Sequence, residues 1–173
     1  MKKKFAYEQT TKIIFGSGSI AELPDLAAGL GERILLVTGS KKSSRQQLYD
    51  SVTQQLRSKG LTVFHFDKVV QNPTTECVEK GTSIAQKEGC QAVIGLGGGS
   101  VMDTAKAIAV TAANGGRAWD YLFFKNPQPK KTLPVIAVPT TAGTGSQVTQ
   151  VAVMTETKTC TKSAVFNNLI YPR

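Results

Sequence analysis

Histidine is nearly missing from this sequence: His65 is the only one in 173 residues. Cysteine is scarce as well, with Cys77, Cys90 and Cys160 far apart and no CxxC pair among them. The usual structural or catalytic metal sites draw three or four ligands from His, Cys and carboxylates. One His and scattered Cys cannot supply such a cage. An odd number of widely spaced thiols also argues against a disulfide framework and fits reduced, mostly buried cysteines. His65 lies inside the apolar alternation Val63-Phe64-His65-Phe66 and reads as a strand residue rather than a ligand. No stretch approaches the roughly 18 apolar residues that a membrane-spanning helix needs. The basic start Met1-Lys2-Lys3-Lys4 runs into Phe5-Ala6-Tyr7-Glu8-Gln9-Thr10, which is no signal-peptide core. A cytoplasmic location is the expectation. Internal repeats and low-complexity segments are absent too.

Acidic residues are outnumbered, 12 against 21 Lys and Arg, for a formal net charge of +9. A basic balance suits nucleic acid, a membrane surface or an anionic ligand. The clusters Lys2 to Lys4, Lys41-Lys42 and Lys130-Lys131 are short, and no aromatic–basic pattern accompanies them. No nucleic-acid or membrane partner is therefore expected. A solvated surface or a phosphate-bearing ligand accounts for the charge. With 40% hydrophobic and 19% charged residues, the chain can build a packed core.

What is present is an alternation of strand and helix patterns. Arg33 to Thr38, Leu61 to Phe66, Gln91 to Leu96 and Leu133 to Val138 are apolar runs of strand length, rich in β-branched residues. Between them lie helical stretches. Leu48, Val52 and Leu56 form one stripe between Ser44 and Lys59. Glu76 to Glu88 follows a Thr74 or Thr75 cap, and Val101 to Ala113 stops at Asn114-Gly115-Gly116. A further short helix, Ile20 to Ala28, is expected to be capped by Ser17 or Ser19. This order predicts right-handed βαβ units. The fold class is α/β: a Rossmann-like, open, mostly parallel sheet with helices on both faces. After Thr144 the pattern changes, and Val148 to Met154 and Ala164 to Ile170 are expected to form a C-terminal β-hairpin-like segment.

Two loops at the carboxyl ends of strands carry the chemistry. Gly97-Gly98-Gly99-Ser100 joins a strand directly to a helix. Glycines let a phosphate approach the backbone and permit positive φ, and a helix N-terminus offers N–H groups and partial positive charge. The spacing Gly95, Gly97, Ser100 is G-x-G-x-x-S rather than the dinucleotide fingerprint, and no P-loop Lys-Ser/Thr follows. A tight packing turn is the plain alternative. Pro139-Thr140-Thr141-Ala142-Gly143-Thr144-Gly145-Ser146 is the second loop, rich in hydroxyls and small residues able to donate to an anion.

The stretch Gly97-Gly98-Gly99-Ser100-Val101-Met102-Asp103-Thr104-Ala105-Lys106 resembles the GGGSxxDxAK motif of the iron-containing (group III) alcohol dehydrogenases. Pro139 to Ser146 resembles their PTTxGTGSE motif, with Gln147 in place of the usual Glu. Ile14-Phe15-Gly16-Ser17-Gly18 and Asn72-Pro73-Thr74 fit as well. The resemblance covers essentially the whole chain.

The resemblance implies that residues 1–173 form the NAD(P)-binding α/β domain of such an enzyme, with the helical, metal-binding second domain absent. Chemistry at a divalent metal, Fe or Zn, is then expected only in a full-length protein, as is a homodimer. The implied substrate is a small alcohol or aldehyde and the cofactor NADP or NAD. The implied cofactor contacts are Gly97, Gly98, Gly99 and Ser100 at the pyrophosphate and Thr140, Thr141 and Thr144 along a second side. Asn72 is implied near the adenosine end and Lys162 near the nicotinamide ribose. Asp103 is placed near the nicotinamide or at the helix start, where its charge also suits the helix dipole. No residue of the chain reads as a general base or nucleophile.

At the end of the first long strand many relatives in the family carry Asp; here Gly39, Ser40, Lys41 and Lys42 stand there, which favours NADP. The rival readings are a non-catalytic nucleotide-binding module and a relative of glycerol dehydrogenase, maleylacetate reductase or dehydroquinate synthase. Cut from a helical partner, such a domain is expected to expose apolar surface at Val151, Val153, Val165 and Phe166.

Overall fold

The structure, a computed structural model, describes residues 4–6, 8–40, 44–125 and 128–173. Four parallel strands form the main sheet: β1 (Arg33–Gly39), β2 (Thr62–Val69), β3 (Ala92–Gly97) and β4 (Val135–Pro139). Their spatial order is β2-β1-β3-β4. β1 and β3 are central, and their residues 34–38 and 92–97 are buried without a break, as expected of strands covered on both faces. Alternate side chains feed two separate cores. Leu35, Val37 and Val93 face α3 (Thr75–Lys87) and α4 (Gly99–Asn114). Ile34, Leu36, Ile94 and Leu96 face α1 (Leu23–Ala28) and α2 (Gln46–Ser58). The predicted α/β class with helices on both faces is thus observed.

Local chemistry sets the ends of these elements. Thr74 caps α3 by accepting from the Cys77 amide at 3.3 Å, one of the two expected caps. α4 ends where Gly115 takes φ 80°, a backbone region that glycine enters at little cost. The expected helix over residues 20–28 is broken in two. Ser19–Glu22 is a single 3-10 turn, and α1 begins only at Leu23, with no serine side chain capping either piece. Pro24 is the reason: its ring clashes with the carbonyl four residues back, so it is tolerated only in a first turn. On α2 the buried stripe is Tyr49, Val52 and Leu56, while Leu48 is only partly buried.

The C-terminal segment is an antiparallel hairpin of β5 (Val151–Glu156) and β6 (Thr161–Phe166). It is the expected hairpin, displaced by a few residues. Ser146–Val148 and Asn168–Ile170 coil into 3-10 turns instead of extending, the second capped by the Asn167 side chain on the Leu169 amide. One face of the hairpin, with Ala152, Met154 and Val165, packs into the core shared with α3 and α4. Val165 is therefore buried at 1% exposure, against expectation, because it pairs with the inward-facing Ala152. Val151 and Val153 are half-buried, and Phe166 is exposed. Cys77 and Cys90 are buried and Cys160 is exposed. His65 is the expected strand residue, its Nε2 2.8 Å from the Thr38 hydroxyl.

Helices α3 and α4 approach closely because Gly81 presents no side chain. A Cβ there would collide with Ile108 Cδ1. Gly81→Ala should destabilise the protein by about 1–3 kcal/mol through overpacking. Combining it with Ile108→Val, which removes the offending methyl, should recover part of the loss. Urea unfolding of the two single variants and the double variant measures the coupling.

Candidate cofactor site

From β1 the chain moves outward to β2, then returns past β1 to β3 and β4. The direction of winding therefore reverses between β1 and β3, and in open parallel sheets ligands bind at such a switch point, beyond the carboxyl ends of the strands. Gly39 and Ser40 stand at the end of β1, Gly97 to Ser100 at the end of β3, and Thr140 to Ser146 at the end of β4. Lys41 and Lys42 lie outside the described residues.

The three glycines are needed for space. None of Gly97, Gly98 and Gly99 has positive φ, which corrects the expectation of special backbone geometry. A Cβ on Gly97 would sit 2.6 Å from Val101 Cγ2, and one on Gly98 would sit 3.1 Å from Thr141 Oγ1. On Gly99 it would sit 2.8 Å from Thr144 Cγ2. The β4 loop is thus laid directly over the N-terminus of α4. The Thr140 amide fastens it by donating to Gly97 O at 2.9 Å. Gly145, at φ 68°, turns the loop back toward α4. The first α4 amides with backbone partners are those of Val101 and Met102, both donating to Gly98 O. The Gly99 and Ser100 amides precede that ladder at the positive end of a 16-residue helix.

A cleft of about 330 Å³ opens beside this turn, lined by Asn72, Gly99, Ser100, Asp103, Thr144 and Lys162 and floored by β5. Six of the predicted residues thus meet in one place. Gly97, Gly98, Thr140 and Thr141 form the adjoining loops. Gly39 and Ser40 lie apart at the end of β1. The Thr140 hydroxyl is buried and has no hydrogen-bond partner among the described residues. Asn72, at φ 54°, donates its amide to Ser100 Oγ at 3.3 Å, and its side-chain oxygen accepts from Lys162 Nζ at 3.0 Å. Asn72 and Lys162 therefore stand side by side in the cleft, whereas the sequence expectation set them at opposite ends of a cofactor. A second, larger cleft of about 660 Å³ runs along the outer edge of β4 between Ile14, Leu26 and Ile136. It is mostly apolar and contains none of the predicted polar residues.

Asp103 lies in the second turn of α4, beyond the helix start, so the dipole does not explain it. Its carboxylate accepts from Ser146 Oγ at 2.7 Å and from the Val153 amide at 3.2 Å. Burial pushes its pKa up, opposed by those hydrogen bonds and by Lys106 and Lys162. Asp103 thus ties α4 to the β4 loop and to β5. Sequence reasoning missed Thr149 here and gave Ser146 and Lys106, although both stand in the quoted motifs, no role of their own. One signal was available: Lys106 is the sole charge between Asp103 and Arg117, set three residues from Asp103 on an otherwise apolar helix.

The sequence profile described as iron-containing alcohol dehydrogenase matches residues 10–173. The chain belongs to the iron-containing alcohol dehydrogenase family. A probable NADH-dependent butanol dehydrogenase 1 of Bacillus subtilis (strain 168) is 38% identical over 171 residues, 99% of this chain and 44% of the relative. Among solved structures, an alcohol dehydrogenase from an archaeal halo-thermophile of a Red Sea brine pool superposes with a TM-score of 0.91 at 35% identity. That match covers 100% of this chain and 45% of the other. The NADH-dependent butanol dehydrogenase A of Thermotoga maritima gives 0.89 at 34% identity, covering 98% and 43%. The chain thus spans less than half the length of these family members. Among the described residues no group of three or more His, Cys, Asp or Glu side chains converges. The metal of the family name therefore finds no ligand set among them.

Removing the Asp103 carboxylate should loosen this corner. Asp103→Leu strands the Ser146 hydroxyl and the Val153 amide and should cost about 2–4 kcal/mol. Asp103→Asn keeps an acceptor and should cost less. Chemical denaturation of both variants gives the comparison.

Proposed function

We propose that residues 1–173 are the nicotinamide-dinucleotide-binding domain of an alcohol dehydrogenase. The domain holds the cofactor for hydride exchange with a small alcohol or aldehyde. The observation that carries this reading is the glycine turn at the β1/β3 switch point, headed by α4 and covered by the β4 loop. In the proposed complex the Gly98, Gly99 and Ser100 amides and the α4 dipole hold the pyrophosphate. Thr140, Thr141 and Thr144 line a second side. Asn72 and Lys162, already bonded to each other, hold one ribose and offer its hydroxyls an acceptor and a cation. The bound cofactor supplies the redox chemistry; the domain supplies its position and electrostatics. Gly99→Val should leave the fold intact, because the displaced Thr144 is exposed. It should still weaken NADH or NADPH binding by roughly tenfold or more, since a shift in the loop removes several contacts worth about 1–3 kcal/mol each. Cofactor fluorescence titration with circular dichroism as the folding control tests this. Unchanged affinity in the folded variant contradicts the assignment.

We further propose that the cofactor is NADP(H), although the butanol dehydrogenases above carry NADH in their names. At the end of β1 an acidic side chain would bind the ribose hydroxyls of NAD and repel a 2′-phosphate. Gly39 has no side chain, Ser40 adds a hydroxyl, and Lys41 and Lys42 follow in sequence. NADPH should bind about tenfold tighter than NADH at low salt, equivalent to about 1.4 kcal/mol, with salt narrowing the gap. Gly39→Asp should reverse the order. Equal affinities, or tighter NADH, contradict the proposal.

A further inference from the structure

Among the described residues Lys106 is the largest fully buried side chain, at 0% exposure. Its ammonium is enclosed by oxygens of one irregular stretch of chain: the carbonyls of Ser146, Thr149 and Val151 at 2.5, 2.7 and 2.9 Å, and Ser146 Oγ at 3.1 Å. An ammonium has three N–H donors, and three carbonyls converge on it. Ser146 Oγ, which Lys106 also touches, donates in turn to Asp103. A buried charge is costly to desolvate, and the oxygens converging on this one offset that cost; removing the ammonium would strand them. What the charge supplies is an organising centre for residues 146–151, which have no sheet partner of their own before β5 begins at Val151. Thr144, Ser146, Thr149 and Val151 all line the cofactor cleft, whereas Lys106 itself does not reach it.

We propose that Lys106 is a positioning residue for the cofactor: its ammonium acts as an internal cation that holds segment 146–151 against the cleft, so that cofactor affinity depends on its charge. The proposal rests on the cofactor reading above. Burial brings Lys106 down to about 8 from the ordinary lysine value, opposed by Asp103. The ammonium is thus present below that pH and lost above it. The neutral amine has one N–H fewer for the three carbonyls and no attraction for them beyond hydrogen bonding. Cofactor affinity should therefore fall as pH rises. Of the elements packed around it, segment 146–151, β3 and β4 carry no titratable side chain. α4 contributes Asp103, β6 contributes Lys162 facing Asp103, and Glu156 at the far end of β5 is paired with Arg117.

The test is NADPH titration of the whole chain between pH 7 and 9.5, for the wild type, Lys106→Met and Lys162→Met, with circular dichroism at each pH. The wild type should lose about fivefold in affinity across the range, and Lys106→Met should bind on the order of tenfold more weakly at pH 7. Its profile should be flat. Lys162→Met should bind weakly and keep the wild-type slope. A folded Lys106→Met with wild-type affinity or slope overturns the proposal, as does loss of the slope in Lys162→Met. If Lys106→Met does not fold, the wild type and Lys162→Met decide: a flat profile in either overturns it, and the same slope in both supports it. A wild type that binds neither NADPH nor NADH at pH 7 overturns the cofactor reading itself.

Discussion

The close packing of the glycine turn, with Gly97 against Val101 of α4 and Gly98 and Gly99 against Thr141 and Thr144 of the β4 loop, is the constraint on which the rest of the site depends. A methyl group at Gly97 or Gly99 would collide at under 3 Å with Val101 or Thr144. With that space clear, the Thr140 amide reaches Gly97 O, and the β4 loop closes over the start of α4. The amides of Gly99 and Ser100 then stand at the cleft between a hydroxyl-rich loop and the Asn72 turn. Beneath this surface the Asp103–Ser146–Lys106 network fastens the same loop from inside. Contact between loops fixes the outer geometry, and buried charge fixes the inner one.

Much of the fold was legible because its central strands obey simple patterns. β1 and β3 are buried on both faces and read as unbroken apolar runs, and Thr74 announces the start of α3. Legibility failed where one residue overruled a pattern. Pro24 breaks a helical stretch that its neighbours favour. The carbonyls of Ser146 and Thr149 turn toward Lys106 instead of joining a ladder, which delays β5 to Val151. Val165 appeared exposed because the inward face of the hairpin depends on a register with Ala152 that no local periodicity reveals.

The candidate site shows the same division. Motif spacing brought Gly99, Ser100, Asp103 and Thr144 into view, and all four line the cleft. Motifs say nothing of distance, so Asn72 and Lys162, 90 residues apart in sequence, seemed to belong to different ends until their 3.0 Å hydrogen bond joined them. Lys106, quoted in the motif, was given no role because a lysine in a helix is ordinarily a surface residue. Its role depends on three carbonyls contributed 40 to 45 residues later.

Membership of the iron-containing alcohol dehydrogenase family and the switch-point geometry converge on one claim: a dinucleotide sits with its phosphates at the start of α4. Backbone amide NMR during titration with NADPH tests it most directly. The account predicts the largest shifts at Gly98, Gly99 and Ser100, with a second group at Thr140, Thr141 and Thr144. Shifts centred instead on the apolar cleft at Ile14 and Ile136, with Gly98 to Ser100 unmoved, would contradict it.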